Sequence, residues 1–350
     1  MGIDVYEPPR LPPPPRPRRE PVTHPPRWWL HLTLFVLTFC SAVLASVVPT
    51  LYAGSLSEVL EILRLEPLLL LHGLPFAVAL MAVLLAHELG HTVMARRLGV
   101  DLSLPYFIPA PTLFGTLGAI ILMRSLPHDR PALLKVAVAG PFAGMLLALP
   151  LLAWGLSRSA AADLDQLAAS DFVFGSSLLF AGLKALFAPD AEILKLHPVA
   201  LAGWVGLFQT SLNLIPAAQL DGGHVAYALF GRRHERLSRV TAALLLALGI
   251  YLAIEQGIEH GAVWALWAML LYMLGLRHPP VQDERVPVSR RQKLAGLLAF
   301  LLLVCTFTPV PVSRALPPAA TPTIHRGDQP RPMFPPRRRP LRPPPEEFRL

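Results

Sequence analysis

The fold of this chain is decided by residues 68–98, LLLLHGLPFAVALMAVLLAHELGHTVMARRL. The thirteen residues 74–86 contain no ionisable side chain, and at about 1.5 Å per residue they place His87 about 20 Å into a helix. The whole stretch is long and apolar enough to cross a bilayer. Ionisable side chains at membrane depth are costly and usually mark function. The stretch therefore predicts a transmembrane helix that carries a functional site.

The ionisable cluster in this helix is HELGH, residues 87–91. Side chains four residues apart share one helix face, so His87 and His91 can present two imidazoles to one metal ion. Glu88 reaches the same space. This is the HExxH arrangement of zincins, and in a chain of this composition it arises by chance about one time in a hundred. A pair of interfacial histidines at a helix end is the alternative.

A catalytic zinc takes three protein ligands and keeps one position open, so a third ligand must come from elsewhere. The best candidate is Asp221 in NLIPAAQLDGGH, residues 213–224. Pro216 removes a helical hydrogen bond at the end of an apolar run, and the two glycines after Asp221 allow close approach of the backbone. Such an opened backbone is tolerated at membrane depth where it lines a cavity. A helix-capping aspartate at the membrane surface is the alternative.

The composition agrees with a multi-span membrane protein. Only 15% of the residues are charged and 53% are hydrophobic, whereas about 25% are charged in a typical soluble domain. We expect an all-α polytopic protein with about six to eight transmembrane helices. The predicted spans are residues 30–53, 68–98, 133–156, 198–215, 237–254, 262–276 and 294–310. Residues 171–188 are expected to form an interfacial helix that does not span.

Proline and arginine concentrate in two tails, residues 1–27 and 311–350, which we expect to be disordered and to flank a membrane domain of residues 28–310. With the N-terminus in the cytoplasm, nineteen Lys and Arg side chains fall on the cytoplasmic side and four outside. The eight arginines of the second tail then lie outside, against this rule. The arginine runs lack interleaved aromatic residues, so we expect no nucleic-acid partner. The two cysteines, Cys40 and Cys305, lie in apolar runs and indicate neither a disulfide framework nor a cysteine zinc site.

HELGH followed by NLIPAAQLDGGH resembles the site-2 protease family of intramembrane zinc metalloproteases. The resemblance covers roughly residues 68–310 and is strongest to the branch without a PDZ domain, typified by chloroplast and cyanobacterial members. It continues in LPYFIP (104–109), FGTLGA (114–119), AGPFAG (139–144) and HPVALAGW (197–204). It implies that His87, His91 and Asp221 bind one zinc ion and that Glu88 is the general base. It also implies single-pass transmembrane substrates, met within the lipid bilayer.

Residues 102–123 carry prolines and glycines, and we interpret them as a re-entrant β-hairpin near the metal, whose edge accepts an unwound substrate as an added strand. An ordinary interfacial loop is the alternative. Gly115 and Gly118 in this segment are candidate substrate-binding residues. The resemblance also suggests that Asn213 contacts the substrate backbone or the oxyanion. Helix termination is the alternative for Asn213. The small-xxx-small spacing of residues 140–144 predicts close helix packing. His224, three residues after Asp221 on the predicted helix, is expected at the surface, and a hydrogen-bonding role beside the metal ligands is the alternative.

The sequence thus predicts an intramembrane zinc endopeptidase in a bacterial inner membrane. A metal transporter is an alternative, since intramembrane His and Asp also suit metal passage, but transport predicts several metal sites across the bilayer. A catalytically silent scaffold is a second alternative. Loss of Glu88 or of a ligand would mark a silent member, and none is lost.

Overall fold

The computed structural model describes residues 27–51, 55–162, 172–189 and 193–314. The two tails predicted to be disordered lie almost entirely outside the described residues, as does the middle of the loop 157–196.

The chain is mostly helical, and each predicted span overlaps a helix, although this overlap does not establish seven membrane crossings. The helices are α1 (Trp28–Val47), α2 (Leu56–Leu65), α3 (Leu74–Arg97), α4 (Arg130–Leu156), α5 (Leu178–Phe187), α6 (Pro198–Asn213), α7 (Asp221–Phe230), α8 (His234–Glu255), α9 (Ile258–Leu274) and α10 (Arg290–Thr306). Short 3-10 turns precede α2, α3 and α8, at Val48–Leu51, Pro67–Gly73 and Gly231–Arg233.

Within the described ranges, four helical segments are long and apolar enough to cross a membrane: Trp28–Val47, Pro67–Arg97, Arg130–Leu156 and Asp221–Glu255. The chain is therefore an integral membrane protein. Helix α5 has ten residues, so it is about 15 Å long, half the hydrocarbon thickness of a bilayer. Such a helix cannot span, as expected for this part of the loop.

Helices α3, α4 and α6 form the centre of the molecule. Phe76, Leu80 and Trp204 are fully buried among them. Glycines at the helix crossings let the backbones meet: a Cβ on Gly90 would lie 2.4 Å from the carbonyl oxygen of Ala139. Small residues at helix interfaces give close packing in lipid, where the hydrophobic effect does not drive helices together.

In the part of the chain that the structure describes, six strands form three two-stranded antiparallel sheets. The pairs are β1 (Tyr106–Pro109) with β2 (Thr116–Ile120), β3 (Ala160–Ala162) with β5 (Ile193–Lys195), and β4 (Phe172–Phe174) with β6 (Val312–Arg314). The last pair joins the chain after α10 to the connection between α4 and α6. The end of the described chain therefore lies on the same side of the molecule as that connection.

The β1–β2 hairpin occupies the segment predicted to contain one. It pairs Tyr106 with Ile120 and Phe107 with Ala119, and it is packed on α1. The His31 side chain of α1 lies with Nδ1 3.0 Å from the carbonyl oxygen of Pro105, and its ring contacts the Tyr106 ring at 4.2 Å. Helix α1 thus holds the hairpin beside α3.

Candidate metal centre

Helix α3 brings three ionisable side chains into the interior. His87, Glu88 and His91 are each 5–7% exposed. The Nδ1 atom of His91 donates a hydrogen bond to the carbonyl oxygen of Val136 at 2.8 Å. A neutral imidazole protonated at Nδ1 has a free lone pair on Nε2, so this bond orients His91 to act as a ligand through Nε2.

Two glycines of α4 make room for these imidazoles. A Cβ on Gly140 would lie 2.0 Å from Nε2 of His91, and a Cβ on Gly144 would lie 3.3 Å from Nδ1 of His87. The sequence predicted only close helix packing for this pair. In the structure the space left by the glycines is occupied by the two histidines, so both glycines are part of the site.

Asp221 reaches the histidines because α6 ends early. The helix stops at Asn213, the chain turns through residues 214–220, and Asp221 is the first residue of α7. Gly222 and Gly223 lie against this turn, where a Cβ would come within 1.9 Å of Leu214 O and 2.4 Å of Ala218 O respectively. Ala218 has a positive φ of 51°, and its amide donates to the Ser238 hydroxyl at 3.3 Å.

Three ligand atoms converge at this point. The Oδ2 atom of Asp221 lies 3.1 Å from Nε2 of His87 and 3.3 Å from Nε2 of His91, and the two Nε2 atoms are 3.1 Å apart. In a tetrahedral zinc site with bonds of about 2.0–2.2 Å, ligand atoms are about 3.3 Å apart. The spacing and chemistry of these donors therefore fit one zinc ion. Among the described residues this is the one such group of three.

Asn213 lies beside the ligands at the end of α6. Its Nδ2 atom is 3.4 Å from Nε2 of His87. Its amide is therefore close enough to contact a group bound at the metal centre, although it also ends the helix.

A cavity of about 520 Å³ opens onto the centre. Glu88 and Asn213 line it together with the three ligand residues. One wall is the chain from the end of β2, residues 119–127, and the opposite wall includes Leu274, His278 and Pro279. The hairpin and the α9–α10 connection therefore flank the space in front of the ligands.

Gly115 and Gly118 are not among the residues that line this cavity. Both have positive φ, 75° and 96°. A Cβ on Gly115 would lie 2.4 Å from the carbonyl oxygen of Ser41, and one on Gly118 would lie 2.0 Å from Nε2 of Gln209. The two glycines shape the hairpin against α1 and α6, and the residues that face the cavity are their neighbours from Ala119 onward.

His224 faces the cavity, so its expected surface position is wrong. Its Nδ1 atom lies 2.6 Å from Nε2 of His278, whose ring stacks on Tyr227 at 4.2 Å. The Tyr227 hydroxyl donates to Glu284 at 2.8 Å. Burial lowers the pKa of His278 to about 4, so this ring is neutral near pH 7. No sequence signal links these residues, because each pair is more than fifty residues apart in the chain: 54 for His224 and His278, and 57 for Tyr227 and Glu284.

Comparisons with known proteins find a family profile and several relatives that match this chain. The sequence profile of peptidase family M50 matches residues 75–254. The probable zinc metalloprotease EGY2, chloroplastic, of Arabidopsis thaliana is 33% identical over 300 residues, which are 83% of this chain and 51% of that protein.

Two further relatives match this chain at a similar level of identity. The probable zinc metalloprotease EGY1, chloroplastic, of the same plant is 34% identical over 68% of this chain and 43% of its own length. The rice (Oryza sativa subsp. indica) EGY2 protein is 33% identical over 82% of this chain and 51% of its own length. The chain spans about half the length of the curated relatives it matches. No solved structure matches it.

Proposed function

This chain belongs to peptidase family M50, and from that premise we propose that it is a zinc-dependent endopeptidase that cleaves membrane-anchored proteins in or near their transmembrane segments. The observation that carries the proposal is the convergence of His87, His91 and Asp221 next to the buried carboxylate of Glu88. We further propose that residues 28–310 form the protease domain.

His87, His91 and Asp221 would hold the zinc, one ion per chain. When bound there, zinc supplies Lewis acidity and acidifies a water molecule. Glu88 lines the same cavity and follows His87 directly on α3, so its carboxylate is the group available to take a proton from the attacking water. Glu88 would then deliver that proton to the leaving amine. The bond from His91 to Val136 keeps His91 in the tautomer this site needs.

Substrate presentation follows from the hairpin. A helical peptide bond is shielded by its own hydrogen bonds, so a transmembrane substrate must unwind before it is cut. We propose that residues 102–123 are re-entrant and that the unpaired edge of β2 accepts the unwound substrate as an added strand. Asn213 would hydrogen-bond the substrate backbone, and Gly115 and Gly118 would support the strand that binds it. The partners are single-pass membrane proteins.

The topology proposed from the charge distribution has seven crossings, with a cytoplasmic N-terminus. In this topology the connection between α4 and α6 follows the third crossing and so lies outside. Strand β4 of that connection pairs with β6, so the end of the described chain lies on the same side, which supports an odd number of crossings. The arginines of the second tail then lie opposite the N-terminus. A bacterial inner membrane remains our proposal for its location, without support from the relatives, whose names are chloroplastic.

The metal-transporter alternative predicts several sites along a pathway. The described residues contain one group of three metal-binding side chains, and that group lies next to a glutamate in the position of a general base. Both features favour hydrolysis over transport. A silent scaffold would not require an intact Glu88.

The proposal is tested by Glu88→Gln in the full chain, purified and reconstituted with a single-pass model substrate. We expect the wild type to cleave it, and the variant to lose cleavage by at least about 100-fold, the usual scale for a general base. Zinc content, measured by atomic absorption, should stay near one ion per chain in both proteins. Cleavage retained by Glu88→Gln would falsify the assignment of the base.

A further inference from the structure

A second, smaller pocket of about 230 Å³ adjoins the cavity described above. Leu102 and Arg124 line both, so the two spaces share a wall. Its remaining walls come from the C-terminal half of α3 and from residues 100–104. The polar side chains that line it are Thr92, Arg96, Asp101, Ser103 and Arg124.

The pocket continues from the metal centre along one face of α3. Glu88, Thr92 and Arg96 are spaced four residues apart, so their side chains follow each other along that face. The Thr92 hydroxyl donates to the carbonyl oxygen of Glu88 at 2.9 Å. Arg96 lies about 12 Å further along the helix axis than Glu88, at about 1.5 Å per residue.

The other wall of the pocket is tied to the chain that follows the hairpin by two hydrogen bonds. The amide of Arg124 donates to the carbonyl oxygen of Asp101 at 2.9 Å, and the amide of Asp101 donates to the Ser125 hydroxyl at 2.8 Å. Arg124 directly follows residues 119–123, which line the metal-centre cavity. A strand added along these residues would therefore run from the metal centre towards Arg124.

The charge of the pocket is positive. Two arginines, Arg96 and Arg124, line it together with one acidic residue, Asp101. Within the part of the chain that the structure describes, neither Arg96 nor Arg124 forms an ion pair. Arginine at this end of α3 also suits the positive-inside rule, but that rule requires no pocket shared with the catalytic cavity. Arg97, the next residue, satisfies the same rule and does not line the pocket.

We propose that this pocket is a substrate subsite that binds an acidic side chain, Asp or Glu, three or four residues from the scissile bond. The inference rests on the proposed protease function. The position of the acidic residue follows from the distance of about 12 Å along the helix axis between Glu88 and Arg96. An extended substrate advances about 3.3 Å per residue, so this distance corresponds to three or four residues. The two guanidinium groups supply the charge-assisted hydrogen bonds that select a carboxylate.

The test uses the zinc-loaded full chain in phosphatidylcholine nanodiscs. A single-pass model substrate is cleaved first and its scissile bond located by mass spectrometry. Gln, Glu or Lys is then placed three or four residues away on either side. We expect Glu to raise kcat/KM about tenfold over Gln on one side, mainly through a lower KM, and Lys to lower it.

Variants of the pocket should then change this preference. Arg96→Gln or Arg124→Gln should abolish the gain with Glu, and Arg124→Glu should favour the Lys substrate over the Glu substrate. Cleavage of the Lys substrate by Arg124→Glu also shows that this variant is folded. Arg97→Gln is the matched control and should keep the wild-type preference for Glu. Equal kcat/KM for all three substrates with the wild-type enzyme would overturn the proposal.

Two further measurements separate this inference from its alternatives. Adding anionic phosphatidylglycerol tests whether the arginines bind lipid phosphate instead: a rate that depends on this lipid but not on substrate charge contradicts the subsite. Binding of the Glu and Gln substrates to the zinc-loaded Glu88→Gln variant, followed by fluorescence anisotropy, requires no cleavage. If the wild type cleaves no substrate, the proposed protease function fails. The subsite is still supported if the Glu substrate binds more tightly than the Gln substrate and if Arg124→Gln abolishes this difference.

Discussion

The metal centre is enclosed by packed helices, whereas the rim of the cavity is held by loops and a hairpin. At the centre, α3 meets α4 across glycines, His87 and His91 are buried, and Asp221 is half-buried. At the rim, residues 119–127 and the α9–α10 connection are joined to the rest by hydrogen bonds, by ring contacts of His278 and by the buried side chain of Val281. Changes at the centre should therefore affect metal binding, and changes at the rim should affect substrate binding.

The largest effect is expected from Gly140→Ala. The new Cβ would lie 2.0 Å from Nε2 of His91, so either His91 leaves its position or α4 moves away from α3. We expect zinc affinity to fall by about 100-fold, at the upper end of the effects seen for residues that support metal ligands. Competition with a chelator of known affinity measures it.

The matched control is Gly182→Ala on α5, where nothing lies within 4 Å of the new Cβ. This variant should bind zinc as the wild type does. If Gly140→Ala also keeps the wild-type zinc affinity, then helix packing does not fix the ligands and the contrast between centre and rim fails.

The centre was predictable from sequence where its chemistry is local. The spacing of His87 and His91 follows from the helix repeat, and Asp221 is marked by the proline and glycines around it. Those signals led to the same three residues that the structure brings together. The role of Gly140 was not predictable, because it depends on which face of α4 meets α3. The sequence correctly predicted close helix packing at this glycine, but it did not show that the packing leaves room for His91.

The rim was predictable only in outline. Prolines and glycines indicated a hairpin in residues 102–123, and strands β1 and β2 lie there. The contact between His224 and His278 was missed because it joins α7 to a distant loop, and no periodicity records such a pairing. Likewise, Gly115 and Gly118 were expected to bind substrate, but backbone geometry places them against α1 and α6.

A smaller effect is expected where the hairpin is held on α1. His31→Leu removes the hydrogen bond to the carbonyl oxygen of Pro105 and takes away the side-chain partner of that partly buried acceptor. We expect faster amide hydrogen exchange in residues 103–123 and about tenfold lower kcat/KM, with unchanged zinc content. Leu32→Ala, at an exposed neighbouring position, is the control and should alter neither. Loss of zinc in His31→Leu would show that the hairpin supports the metal centre as well.

The smallest effect is expected from Tyr227→Phe at the other side of the rim. The substitution removes the hydrogen bond from the Tyr227 hydroxyl to Glu284 but keeps the ring that stacks on His278. One hydrogen bond contributes about 0.5–1.5 kcal/mol, so the α9–α10 connection should loosen and KM should rise about threefold. Tyr251→Phe is the control, since Tyr251 is an exposed tyrosine on α8. Zinc affinity is the decisive measurement for these two variants, because α7 carries both Tyr227 and Asp221. A fall in zinc affinity with Tyr227→Phe would mean that the α9–α10 connection helps to fix Asp221. A change in KM alone would mean that the rim and the metal centre act separately.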